Sequence, residues 1–217
     1  MFSERLEQLR RQIAEACQRS NRDPNDIAFI AVTKYAALEA LQEAYKQGLR
    51  AFGESRIPTA LDKMAELPSD IAWHFIGHLQ SNKVAKTIGR FALIHSIDSL
   101  DLAKKISAAS VQQNCTTAIL LQVNTSGESS KQGFTPDSCR EHFAELSQLP
   151  GVAVQGLMTL APLTDDEKVV RSCFSRLRSL RDELKLRHLS MGMSHDFPIA
   201  IEEGATLLRI GFALFGK

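Results

Sequence analysis

Short apolar runs alternate with amphipathic stretches eight times along this chain, and that alternation restricts the fold more than any other feature. The runs read as strands over 28–32, 49–53, 71–76, 91–96, 117–123, 152–158, 188–191 and 206–210. The first, Ala28 to Val32, is apolar without alternation, as in a strand buried on both faces of a parallel sheet. Between the strands, helical spacing places Leu38, Leu41 and Tyr45 on one face, with Gly48 as the C′ residue. Helices follow over 57–66, with Pro58 in the first turn, and over 83–88. A further helix carries Leu102, Ile106 and Ala109 and is capped by Asp98 or Ser99; another spans 136–149. The helix over 165–186 turns Val169, Cys173, Leu177, Leu180 and Leu184 inward, and a short one spans 197–203 before Gly204. An extra helix precedes all of these, with Ser3 as N-cap and Leu6, Leu9, Ile13 and Cys17 on one face, until 21–25 break it.

No linker rich in Pro, Gly or Ser interrupts the order, so 1–217 reads as a single domain with a (β/α)8 TIM barrel fold. Such barrels need about 250 residues, so this one is minimal. An open doubly wound sheet is the alternative. It calls for a glycine-rich turn after the first strand, and 33–37 contain no glycine.

The formal net charge is +1, which gives no global field toward nucleic acid or acidic lipid. The basic stretch 176–187 is interleaved with leucines and reads as a solvated helix face. Cys17, Cys115, Cys139 and Cys173 form no C-x-x-C pair and read as small apolar fillers in a reducing compartment. The N-terminus leads into a charged helix, and no apolar run is long enough to span a membrane. A cytoplasmic protein is expected.

Lys34 follows the first strand. In a barrel that end faces the ligand site. Alternation puts Val32 and Lys34 on one face and Thr33 and Tyr35 on the other. An ammonium drawn into the site loses hydration, its pKa falls and its amine becomes nucleophilic. The alternative is a lysine that snorkels to solvent.

At the other end of the chain, barrels hold phosphate on the loops after strands seven and eight and on the N-terminus of a short helix. Ser194 opens such a helix, and Gly211 lets backbone approach an anion. Turn chemistry alone is the competing explanation. Arg209 stands in an apolar strand, where a buried guanidinium needs an acceptor. An amine, an anion grip and an inward guanidinium together suit pyridoxal phosphate. His74 and His78, four apart, straddle a strand end and Gly77 and are not expected to bind metal. Glu128 and Lys131 could pair on the rim, and 80–83 read as a helix start.

These segments resemble the YggS/PROSC family of pyridoxal phosphate homeostasis proteins over nearly the whole length. The resemblance rests on 31–34, on Phe52-Gly53-Glu54-Ser55-Arg56, on 73–83, on Gly156-Leu157-Met158, on 190–194 and on Arg209-Ile210-Gly211. It implies a barrel like the N-terminal domain of alanine racemase, with Lys34 forming a covalent aldimine with pyridoxal 5′-phosphate. It further implies Arg209 at the pyridine nitrogen, Ser194, Gly211 and Phe212 on the phosphate, and Met158 near the ring. Ser55 stands where the family reads Asn, and Phe212 where many members carry Thr or Ser. The first departure shortens a polar contact and the second removes a hydroxyl.

A cation at Arg209 disfavours protonation of the ring nitrogen, which weakens the cofactor as an electron sink. The chain is expected to carry no second domain past strand eight, hence no opposing tyrosine. Of its own tyrosines, Tyr35 is expected to point away from Lys34, and Tyr45 lies on a helix. The expected function is therefore a monomeric, non-catalytic carrier or buffer in vitamin B6 and amino-acid homeostasis, serving pyridoxal-phosphate-dependent apoenzymes or regulatory proteins. The alternatives are an amino-acid racemase-like enzyme and a Schiff-base aldolase-type barrel.

Overall fold

The computed structural model describes residues 1–128 and 131–216; within the expected polar loop over 124–133, residues 129 and 130 lie outside the described residues, as does 217. The chain opens with α1 (Phe2–Arg19), followed by β1 (Ala28–Val32), α2 (Leu38–Lys46), β2 (Ala51–Glu54), α3 (Ile57–Glu66) and β3 (Ala72–Phe75). After a 3-10 helix (Ser81–Lys86) come β4 (Leu93–Ile97), α4 (Leu100–Gln112), β5 (Thr117–Gln122), α5 (Pro136–Gln148) and β6 (Val152–Met158). The chain finishes with α6 (Glu167–Glu183), β7 (His188–Ser190), α7 (Phe197–Glu202), β8 (Leu207–Ile210) and α8 (Phe212–Phe215).

The strands close into one parallel barrel in sequence order, β8 pairing back onto β1 with Ile30 opposite Arg209 and Ala31 opposite Ile210. Two apolar populations follow from the alternation of the strands. Ile30, Leu93, Leu120, Met158 and Leu207 fill the inside of the barrel. Phe52, Phe75, Ile94, Ile119, Leu157, Leu189 and Leu208 join the outer core with the helices. Both faces are largely apolar, which is why β1 shows a continuous run in sequence, while β6 is interrupted only by the exposed Gln155 and by Gly156.

Because α8 is a single turn, α1 completes the outer ring. It packs on α7 and α8 through Leu6, Leu9, Ile13, Ala16 and Cys17, and Phe2 meets Phe215 with ring centroids 5.6 Å apart. Arg22 donates to the Ile201 carbonyl at 2.7 Å. Glu202 and the buried Glu203 receive Arg19 and Arg171, and Arg178 also reaches Glu203, so α7 is held from both sides.

Several expectations need correction. Met1, not Ser3, occupies the N-cap of α1. Val169 is exposed and Val170 faces the core: both stand one turn before Cys173, and the buried face runs through Val170, Cys173, Phe174, Leu177 and Leu180. The stretch expected as helical over 83–88 is a 3-10 segment, and α8 is a turn that periodicity does not announce. Among the described residues no helix is long and apolar enough to cross a membrane.

At Gly156 in β6 a Cβ would overlap the His188 carbonyl oxygen of β7. Gly156→Ala is therefore expected to force the two strands apart and cost about 1–3 kcal/mol of unfolding free energy. Urea titration checks this; an unchanged midpoint would contradict the strand spacing.

Candidate functional site

The ends of β7, β8 and β1 are neighbours in the barrel, and their loops gather most of the expected residues. Beyond β7 the chain turns at Gly192, whose φ of +93° and contact with Ala200 exclude a side chain. Ser194 lies in the following turn, three residues before α7, and does not open that helix as expected. Its hydroxyl instead accepts the Ala213 N–H at 3.1 Å, tying the β7 loop to α8. Gly211 is the N-cap of α8, and a Cβ there would come 3.3 Å from the Cβ of Val32 on β1. Phe212 is 60% exposed and stacks on His195. As the first residue of α8, its N–H has no intrahelical acceptor. The Ser194 O–H and this N–H are thus two donors at the junction of the β7 loop and α8.

Arg209 points into the barrel and is buried. It donates from Nη1 to Ser190 Oγ at 2.6 Å and from Nη2 to the Thr159 carbonyl at 2.8 Å. Two of its five N–H groups are thus used, and Nε has no acceptor among the described residues. Burial lowers its pKa to about 10, so the guanidinium stays cationic at neutral pH. The guanidinium thus keeps donors that a ligand's acceptor could take. Met158, at the end of β6, is buried in the inner cluster close to this level, opposite Ser190 in register.

Lys34 departs from expectation. It is exposed, in a turn beyond β1. The strand ends at Val32, so alternation does not extend to Tyr35, and the Lys34 ammonium lies over the Tyr35 ring at 5.0 Å rather than opposite it. Tyr45 is engaged elsewhere, its hydroxyl donating to Asp70 at 2.9 Å. Ser55 follows β2, half-buried, with its backbone pressed so closely on Gly77 that no side chain fits there.

Two features escaped the sequence. The first is a polar chain inside the barrel. His95 Nδ1 lies 2.8 Å from Ser190 Oγ, and His95 Nε2 lies 3.0 Å from His74 Nδ1. A guanidinium only donates, so Ser190 Oγ accepts from Arg209. We assign the Ser190 O–H as donor to His95 Nδ1 and the His95 Nε2–H as donor to His74 Nδ1, which places the proton of neutral His74 on Nε2. Burial, then the charges of His74, Arg209 and His188, hold the His95 imidazole neutral; burial pushes His74 down to about 4. His74 is thus paired with His95 and not with His78, which lies 3.2 Å from Asp98. The signal available was a histidine inside a fully buried strand, β4. The second feature lies under Lys34, where Thr33 and Glu54 are buried and Lys63 of α3 reaches both. On the rim, Glu128 and Lys131 pair at 2.5 Å, as expected.

Residues 5–217 match the model of the alanine racemase N-terminal domain family. A pyridoxal phosphate homeostasis protein of Aquifex aeolicus is 43% identical over 221 residues, covering 99% of this chain and 97% of that one. Its counterpart from Pseudomonas aeruginosa is 40% identical over 218 residues, covering 99% and 95%. Among solved structures, PipY of Synechococcus elongatus PCC7942 with PLP bound superposes with a TM-score of 0.87 at 38% identity, over 100% of both chains. An alanine racemase of Clostridium difficile 630 shares the fold at a TM-score of 0.76 and 16% identity, over 94% of this chain and 56% of the racemase.

The neutral histidines make stability depend on pH. The folded pKa of His74 lies below the unfolded value near 6.5, so the unfolded chain takes up its proton first as pH falls. Stability is complete above about pH 6.5 and declines toward pH 4, by roughly 2–3 kcal/mol at pH 4.5 from His74 alone. Urea unfolding at pH 7 and 4.5 is expected to show this loss reduced by a similar amount in His74→Gln; parallel curves would refute it.

Proposed function

The chain belongs to the pyridoxal phosphate homeostasis proteins, within the alanine racemase N-terminal domain family, and on that premise we propose that it binds pyridoxal 5′-phosphate at the barrel mouth as a carrier or buffer. The observation that carries this reading is the convergence of three groups on adjacent strand ends. These are the amine of Lys34, the Ser194–Phe212 anion pair and the guanidinium of Arg209 with donors to spare. Their chemistry fits the group. Ser194, the Phe212 N–H and the backbone at Gly211 would hold its phosphate, Arg209 its ring nitrogen, and Met158 and Ser55 the ring edges. When bound, pyridoxal phosphate supplies an aldehyde that a primary amine captures reversibly, and Lys34 would be that amine.

A non-catalytic role is supported by electrostatics. Arg209 remains charged at neutral pH, and a cation beside the ring nitrogen opposes its protonation. Acid–base work on both faces of a substrate also needs a second group opposite Lys34. Tyr35 shares the turn with Lys34, and its closeness is the one observation favouring a racemase-like reading. Recipients of the cofactor would be apoenzymes or regulatory proteins, and the carrier would act as a monomer.

Borohydride treatment of the protein saturated with pyridoxal phosphate is expected to add the reduced cofactor's mass at Lys34. Lys34→Ala is expected to abolish that label yet retain phosphate-dependent binding. Label on another residue, or none, would overturn the reading. Incubating amino acids with the loaded protein in deuterated water separates carrier from racemase, since only the latter exchanges the α-hydrogen. Ser194→Ala is expected to weaken cofactor affinity about ten- to a hundredfold, the range for a hydrogen bond to a charged group. Phe212→Thr is expected to strengthen it; equal affinity would show that the missing hydroxyl carries no cost.

A further inference from the structure

The geometry points to Lys63 and Glu54 as positioning residues for Lys34, clamping the turn that presents its amine; this rests on the proposed role of Lys34. The turn runs from Thr33 to Ala36, closed by the Ala36 N–H donating to the Thr33 carbonyl at 2.9 Å. Lys34 and Tyr35 are its two central residues and both are exposed. From below, Lys63 Nζ donates to the same Thr33 carbonyl at 2.7 Å and to Glu54 Oε1 at 2.7 Å. The Thr33 hydroxyl donates to that oxygen at 2.6 Å, and the Thr33 N–H to the Gly53 carbonyl at 3.0 Å. Three elements, β1, β2 and α3, thus converge on one residue, the one immediately before Lys34.

Stability alone is a weak reason for this arrangement. Glu54 is fully buried and the Lys63 side chain is only 12% exposed, so both charges are largely out of water. Such a pair seldom repays its desolvation better than apolar packing of the same volume, whereas fixing a unique geometry is a role it can fill. The buried Glu54 Oε2 has no partner among the described residues, so all of the recorded contacts of the carboxylate fall on Oε1 and its burial is only half compensated. What the cluster fixes is the backbone under Lys34. The Lys34 side chain has four rotatable bonds in solvent. Its amine therefore gains direction only from the placement of its Cα, and that placement depends on the Thr33 carbonyl. An aldehyde anchored through a distant phosphate meets an amine only where the two ends are held at a fixed separation.

The test compares Lys63→Met, which keeps the stem and removes the charge, with Glu54→Gln and Thr33→Val. Two signals are read: the rate of borohydride-trapped labelling of Lys34 by pyridoxal phosphate, and amide hydrogen exchange of Ala36. In Lys63→Met, labelling is expected to slow about ten- to a hundredfold, in line with the cost of a misplaced reacting group, and Ala36 exchange to rise. Inorganic phosphate is expected to compete with labelling at unchanged concentration, because the anion pair lies on other strands. Thr33→Val keeps the Lys63 contact to the carbonyl and is expected to retain most of the labelling rate. If Lys63→Met does not fold, Glu54→Gln gives the same comparison. Unchanged labelling and exchange, with only a lowered melting temperature, would overturn the clamp. Absence of labelling at Lys34 in the unaltered protein would instead overturn the cofactor reading.

Discussion

The hydrogen-bonded seam between β1 and β8 is the constraint from which the site follows. Residues 28–32 and 207–210 lie at opposite ends of the sequence and become neighbours only because the sheet closes. With Ala31 set against Ile210, the next step brings Val32 against Gly211, where the smallness of glycine lets the strands stay close. One residue further, each chain leaves its strand, one toward Lys34 and the other into α8. A slip of one residue along this seam would turn Arg209 out of the barrel, since side chains alternate faces. Register therefore decides whether amine, anion pair and guanidinium share a mouth. The helices reinforce it, because α1 presses on α7 and α8 exactly where a fuller eighth helix would sit in a longer barrel.

Inside the barrel the chain sets a cation and two imidazoles among leucines and isoleucine. No carboxylate lies within ion-pair distance of Arg209 among the described residues, Asp196 acting only from a distance. The guanidinium is instead met by oxygen dipoles from Ser190 and Thr159, and the imidazoles behind it stay uncharged. A carboxylate in that place would neutralise the arginine and compete for its donors. The neutral relay orients Ser190 while leaving the positive charge available to the mouth.

Most of the fold was legible because burial on both faces leaves continuous apolar runs, and β1 and β6 matched their runs to the residue. The errors lie where a local rule met a boundary. Alternation misplaced Tyr35 because the strand had already ended, and helical spacing could not separate Val169 from Val170, since both stand one turn before Cys173. The residues proposed for the anion site were singled out by loop chemistry next to strand ends, but Ser194 was assigned to a helix start that lies three residues further on. The histidine chain was not singled out, since His74 finds its partner 21 residues away and local spacing suggested His78. Lys63 was equally silent, being one lysine among others on an amphipathic helix until β1 and β2 deliver Thr33 and Glu54 to it.

The exposure of Lys34 bears on what kind of site this is. A catalyst that stabilises developing charge gains by excluding water, which strengthens every electrostatic contact inside. The proposed carrier role has the opposite need: water and incoming amines would have to reach a bond between aldehyde and lysine for it to be reversed. Here the Lys34 side chain is exposed and Phe212 is itself largely exposed, while the Thr33 backbone before Lys34 is buried and bonded. Bonded backbone thus lies beneath Lys34 and solvent above it. On the proposed reading, that division suits capture followed by release better than chemistry in a sealed pocket.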